Sequence, residues 1–109
     1  MKSPLLQFTS NGIYCEKAQV YLDPWKPVDK AIISHGHADH SRYGHKQYIT
    51  HHRNVPIISH RLGEINVVGK DWGESFTINN IKFSLHPAGH IIGSSQIRVE
   101  HKGEVWVFT

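Results

Sequence analysis

Ser34-His35-Gly36-His37-Ala38-Asp39-His40 follows directly on the apolar run Ala31-Ile32-Ile33, and this junction decides how the rest of the chain is read. Imidazole nitrogens and carboxylate oxygens are the usual protein ligands of zinc and similar divalent metals. A short buried strand running into such a loop fixes the backbone, so that the side chains beyond it can converge on one point. His35 and His37 are two residues apart and project from the same face of an extended chain. Gly36 between them lets the backbone turn without a Cβ clash. Asp39 and His40 come next and are placed to serve a second point nearby. Asp39 also stands where a short helix can begin, its carboxylate suited to a helix N-terminus.

Outward from this junction the chain reads as short strands joined by turns, with little helix. Leu5–Phe8 opens a first strand, Ser10-Asn11-Gly12 turns, and Ile13–Cys15 and Ala18–Leu22 continue it, the latter with apolar residues at alternate positions. Asp23-Pro24-Trp25-Lys26-Pro27 interrupts the pattern, because prolines cannot donate to a central ladder. Gln47–Thr50 and Pro56–Ser59 read as two further strands, His60–Gly63 as one helical turn closed by glycine, and Glu64–Val68 as another strand. Phe76–Ile78 and Ile81–Leu85 flank Asn79-Asn80 as a hairpin, with Ile81, Phe83 and Leu85 facing inward. Gln96–Glu100 and Glu104–Phe108, around Lys102-Gly103, form a second hairpin of the same kind.

Composition sets the outer limits. The 109 residues suffice for one small domain, and an apolar content of 39% with ordinary charge argues against global disorder. The net charge of +3 permits an anionic substrate without demanding one. Histidine is the unusual constituent, with ten residues scattered along the chain rather than gathered as a tag. The single cysteine, Cys15, excludes an internal disulfide framework and fits a reducing compartment and a strand role. No signal peptide and no membrane-length apolar segment is evident, so a cytoplasmic location is expected, with no membrane partner.

The His-x-His-x-Asp-His run after a hydrophobic strand resembles the signature of the metallo-β-lactamase-fold hydrolase superfamily. A second match lies at His86-Pro87-Ala88-Gly89-His90-Ile91-Ile92-Gly93-Ser94-Ser95. In the nucleic-acid-processing branch a Gly-His-x-x-Gly-Ser segment of this type supplies the third histidine of the first metal. Asn11–Cys15, Tyr21–Asp29 and Gln96–Trp106 further resemble the bacterial ligase-associated DNA exonuclease group, itself similar to RNA 3′-end-processing and DNA cross-link repair nucleases.

The resemblance implies an α/β (α+β) fold, the αββα sandwich of two sheets between outer helices. It implies that residues 1–109 are an N-terminal, β-rich portion ending before the family's bridging aspartate, with only the first sheet and its surroundings present. On the same ground His35, His37 and His90 would hold one divalent metal, and Asp39 and His40 would serve a second as the catalytic pair. Zinc is the expected metal, manganese the other option, and the second site would be incomplete without the bridging carboxylate. Ser34, His86 and Ser94 beside the motifs are candidates for the groups that orient those ligands. The implied activity is two-metal phosphodiester hydrolysis through an activated hydroxide, as a DNA exonuclease of a repair pathway. An RNA-processing nuclease of the same fold and an inactive metal-binding unit remain the alternatives. DNA is the expected partner, RNA the alternative, and a DNA ligase or helicase a protein partner by resemblance. An exposed strand edge near Val105–Phe108 predicts self-association.

The remaining polar residues carry weaker signals. Arg42, Tyr43 and His45 follow the metal motif and read as a solvated loop in preference to phosphate contacts. His51-His52-Arg53 reads as an exposed basic loop rather than a metal or anion site, since adjacent histidines do not share a strand face. His60 and His101 carry no functional expectation. Trp25, Trp72 and Trp106 read as packing aromatics in preference to base-stacking ones.

Overall fold

The computed structural model describes residues 6–34, 44–63, 65–88 and 95–108. They form a mixed α/β structure that is mostly strand with one short helix. The first sheet has the order β1 (Gln7–Phe8), β2 (Ile13–Cys15), β3 (Val20–Leu22), β4 (Lys30–Ile32), β5 (Gln47–His51) and β6 (Val67–Lys70). Its first three strands are antiparallel, whereas β3 to β6 are parallel. The second sheet is wholly antiparallel, in the order β10 (Glu104–Phe108), β9 (Ser95–His101), β8 (Ile81–Pro87), β7 (Ser75–Ile78).

Strand alternation assigns every side chain to a layer. Cys15, Val20, Leu22, Ile32 and Ile49 point from the first sheet towards Ile81, Phe83, Leu85, Ile97 and Val99 of the second, and these residues make one buried cluster. Ala31, Ile33 and Tyr48 point the other way, where they pack with Ile58 and Leu62 of the helix α1 (Val55–Leu62). The described residues are therefore layered helix, sheet, sheet. Both faces of β4 are covered, which is why Ala31-Ile32-Ile33 is an unbroken apolar run. The expectation that only the first sheet is present is corrected, because the two C-terminal hairpins already supply a second sheet that faces it.

Two local expectations also change. Pro56–Ser59 is helical, not a strand: Pro56 occupies the first turn, where its missing N–H costs nothing, and Ile58 and Leu62 lie four apart on the face that meets the sheet. The strand expected over Glu64–Val68 runs instead over Val67–Lys70, because Ile65 packs into the cluster under α1. Gly69 permits the close approach that follows, since a Cβ there would come within 3.0 Å of the His52 Cα. The Asn79-Asn80 hairpin is as expected, with both residues at positive φ, 50° and 67°, the backbone of a type I′ turn. Lys102 and Gly103 repeat this geometry at 48° and 83°. No helix among the described residues is long and apolar enough to cross a membrane.

Candidate metal centre

The metal-ligand candidates His35, His37, Asp39, His40 and His90, together with Ser94, Arg42 and Tyr43, lie outside the described residues. Among the described residues no cluster of histidine, cysteine and acidic side chains is suited to a metal. What the structure describes is the scaffold on either side of both motifs, and hydrogen bonds tie it together.

Ser34, the last described residue before the first motif, is buried at the end of β4. Its main-chain N–H donates to Asp23 Oδ1 at 2.7 Å and its hydroxyl to Oδ2 at 2.5 Å. Asp23 is itself buried just beyond β3, in a left-handed conformation with φ 44°, and its N–H donates to the Ile32 carbonyl at 3.0 Å. The segment that carries it is held against residues 9–12. Gly12, at φ 144°, lies so close to Pro24 that a Cβ would meet the Pro24 Cα at 2.8 Å, and Trp25 N–H donates to the Asn11 carbonyl. On the other side the Thr50 hydroxyl donates to the Ile33 carbonyl at 3.0 Å and in turn accepts from Asn54 Nδ2 at 3.1 Å.

The described chain that resumes at Ser95 meets Ser34. Ser95, the first described residue after it, donates its main-chain N–H to the Ser34 carbonyl at 2.8 Å. The described backbone thus brings together the residue before His35 and the residue five positions after His90. Those two points are 61 residues apart in the chain: one lies just past β4 of the first sheet, and the other opens β9 of the second.

His86 sits on β8, on the face opposite Phe83 and Leu85, with its Nε2 2.9 Å from the Ser84 hydroxyl. Asp23 was not singled out in the sequence. The only signal there was its place just past an alternating strand and before Pro24, and its partner Ser34 is eleven residues away.

Two histidines depart from expectation. His45 is buried rather than solvated: its Nδ1 accepts the Val28 N–H at 3.2 Å and its ring lies 5.0 Å from that of Tyr48. His51 is likewise buried, not part of an exposed loop. Its ring stacks on Trp72 at 3.6 Å, and its Nδ1 accepts the Arg53 N–H at 3.2 Å. Burial pushes both imidazoles below their usual 6.5. His52 and Arg53 are exposed, and His52 pairs with Asp71 at 3.2 Å. Cys15 is buried and burial pushes its thiol up, the environment of an inert structural cysteine.

Comparison with known proteins agrees with this architecture at a coarse level. No protein-family model matches the chain. A "Probable DNA ligase" of Opitutus terrae is 29% identical over 94 residues, which cover 84% of this chain and 9% of the ligase. The chain therefore spans under a tenth of that relative's length. Among solved structures, CmlA, a diiron beta-hydroxylase from Streptomyces venezuelae, superposes with a TM-score of 0.53 at 17% identity, over 75% of this chain and 20% of CmlA. A mutant of CmlA gives 0.52 at 16% identity, over 74% and 20%. CmlA is a metallo-β-lactamase-fold protein, and at this identity the likeness concerns the fold alone.

Proposed function

We propose that the chain is the metal-binding part of a phosphodiester hydrolase acting on DNA, an exonuclease of a repair pathway. The observation that carries this reading is the hydrogen bond from Ser95 to Ser34, which ties the ends of the two histidine motifs together. Separate histidine segments that serve one metal must approach one another, and the contact between Ser95 and Ser34 supports that reading.

The donor set fits divalent metals of the zinc type. His35, His37 and His90 would hold one ion, and Asp39 with His40 would contribute to a second. When bound, such ions supply a more acidic water and neutralise charge at a phosphodiester. This chain's own described residues act on the framework. Asp23 and Ser34 fix where the first motif begins, and Thr50 with Asn54 holds the carbonyl just before it. Similarity to a region of a protein named as a DNA ligase supports DNA as the polymer.

The test is incubation of labelled single-stranded DNA, RNA and a generic ester with the chain and Mn²⁺ or Zn²⁺. Cleavage of DNA alone is the expected result. Cleavage of RNA in preference moves the proposal to RNA processing. No product from any substrate, in a preparation that binds zinc, overturns the catalytic reading and leaves a metal-binding folding unit.

A further inference from the structure

We propose that the outer face of the first sheet carries a separate groove for single-stranded nucleic acid. This rests on the functional reading only for the class of polymer. The groove encloses about 430 Å³ and is lined by Asn11, Tyr14, Gln19, Tyr21, Asp29 and Lys30, among others. Its lining residues, all described, include none of the proposed metal ligands. Lys30 opens β4 and Ser34 follows its far end, roughly 13 Å along an extended strand.

Tyr14 and Tyr21 are cross-strand partners on β2 and β3, with ring centroids 4.4 Å apart and planes tilted by 31°. They point away from Cys15, Val20 and Leu22, so they do not belong to the core between the sheets. Nor do they belong to the cluster that α1 covers. Both are partly buried, with part of each residue still open to solvent. Sheet positions of this kind usually stabilise a hairpin, but apolar residues would do that without leaving polar tips at the surface of a groove. Aromatic faces beside a cation are the arrangement on which unstacked bases settle, whatever their sequence.

Charge favours the same occupant. Asp29 is engaged by Lys46 at 3.4 Å, whereas Lys30 has no acidic partner among the described residues. The groove is thus left with a free cation for a backbone phosphate. The amides of Asn11 and Gln19 at its rim offer donors and acceptors to base edges.

The experiment is fluorescence anisotropy of a labelled oligothymidylate titrated with the full chain in excess EDTA, where metal chemistry is silent, with RNA and duplex DNA as parallel arms. Single strands should bind better than duplex. Tyr14→Ala and Tyr21→Ala should each weaken binding about tenfold, while Tyr14→Phe should not. Lys30→Glu should weaken it and lower the slope of log affinity against log salt by about 1. Circular dichroism identifies any alanine variant that fails to fold, and exposed Lys30 then decides alone. Binding unchanged within about twofold in Lys30→Glu and in the folded tyrosine variants overturns the proposal. Binding in EDTA without metal-dependent cleavage sinks the hydrolase reading alone, and cleavage without groove-dependent binding sinks the groove alone.

Discussion

The main-chain N–H of Ser95 donates to the carbonyl of Ser34 at 2.8 Å, and both residues are buried. This bond stitches the second sheet to the end of β4 in the first. It makes the end of β4 a rigid platform rather than a loose strand terminus, because Ser34 is held at the same time by Asp23.

Asp23→Ala should therefore cost roughly 1–3 kcal/mol, since it strands the buried Ser34 N–H and hydroxyl without an acceptor. Zinc affinity should fall about 10–100-fold, the usual loss when a group supporting a metal site is removed. Asp23→Asn keeps one carbonyl acceptor and should lose less of both. Denaturant unfolding and calorimetric zinc titration measure the two effects, and wild-type values in Asp23→Ala would contradict this account.

His35→Ala, His37→Ala and His90→Ala should each lower zinc affinity by more than about tenfold, because each removes a proposed ligand of one ion. His60→Ala, on α1, should leave it unchanged. Equal affinity in His90→Ala and wild type would mean that the second motif takes no part.

Stability should fall on mild acidification. His45 is held below 6.5 by its burial. His51 is held there by burial first, then by His52 and Arg53, while Asp71 pulls the other way. A base depressed in the folded state binds fewer protons there than in the unfolded chain, so stability is full above 6.5 and is lost as pH falls from that value through the folded values. Urea midpoints at about pH 7.5 and about pH 5.5 bracket the window set by the unperturbed imidazole. His51→Phe retains a flat ring against Trp72 and should narrow the difference between them.

The Asn79-Asn80 turn places two non-glycine residues at positive φ. Asn80→Gly relieves the second and should raise stability by about 0.5–1 kcal/mol, giving the Asn-Gly pair that type I′ turns favour. Asn79→Val should lower stability, since a β-branched residue resists that backbone and the contact of Asn79 Nδ2 with the Ala18 carbonyl is lost. Thermal unfolding of the two variants should shift in opposite directions.

β10 is an edge strand, and beside it Phe8 is 87% exposed while Val105 and Val107 are 44% and 55% exposed. Leu6, Phe8, Ile13, Trp106 and Phe108 line an apolar hollow of about 150 Å³ between β10 and the β1 edge. Concentration-dependent self-association is the expected consequence, and Val107→Lys should suppress it by placing a charge on the open edge. Sedimentation showing only monomer at high concentration would refute this.

Much of the architecture was legible because it is local. The alternation of Ile81, Phe83 and Leu85 assigned an inner face, and Asn79-Asn80 supplied residues that tolerate the positive φ of a type I′ turn. Pro56–Ser59 reads as a strand because a four-residue run is too short to show a helical period. Only the packing of Ile58 and Leu62 on Tyr48 and Val67 makes it helical. His51 was misread for a related reason: a histidine looks solvated until Trp72, 21 residues later, is seen to cover it.

The amino-acid order alone determined the metal-binding chemistry on offer, since which donors exist and how closely they follow one another are properties of the chain. It also determined the hairpins, whose partners are neighbours. Tertiary structure alone decided that Asp23 anchors Ser34, that Ser95 meets Ser34, and that Tyr14 and Tyr21 stand outside both cores. Each depends on distant segments being packed together, and no local pattern encodes which distant group will satisfy a buried hydrogen bond.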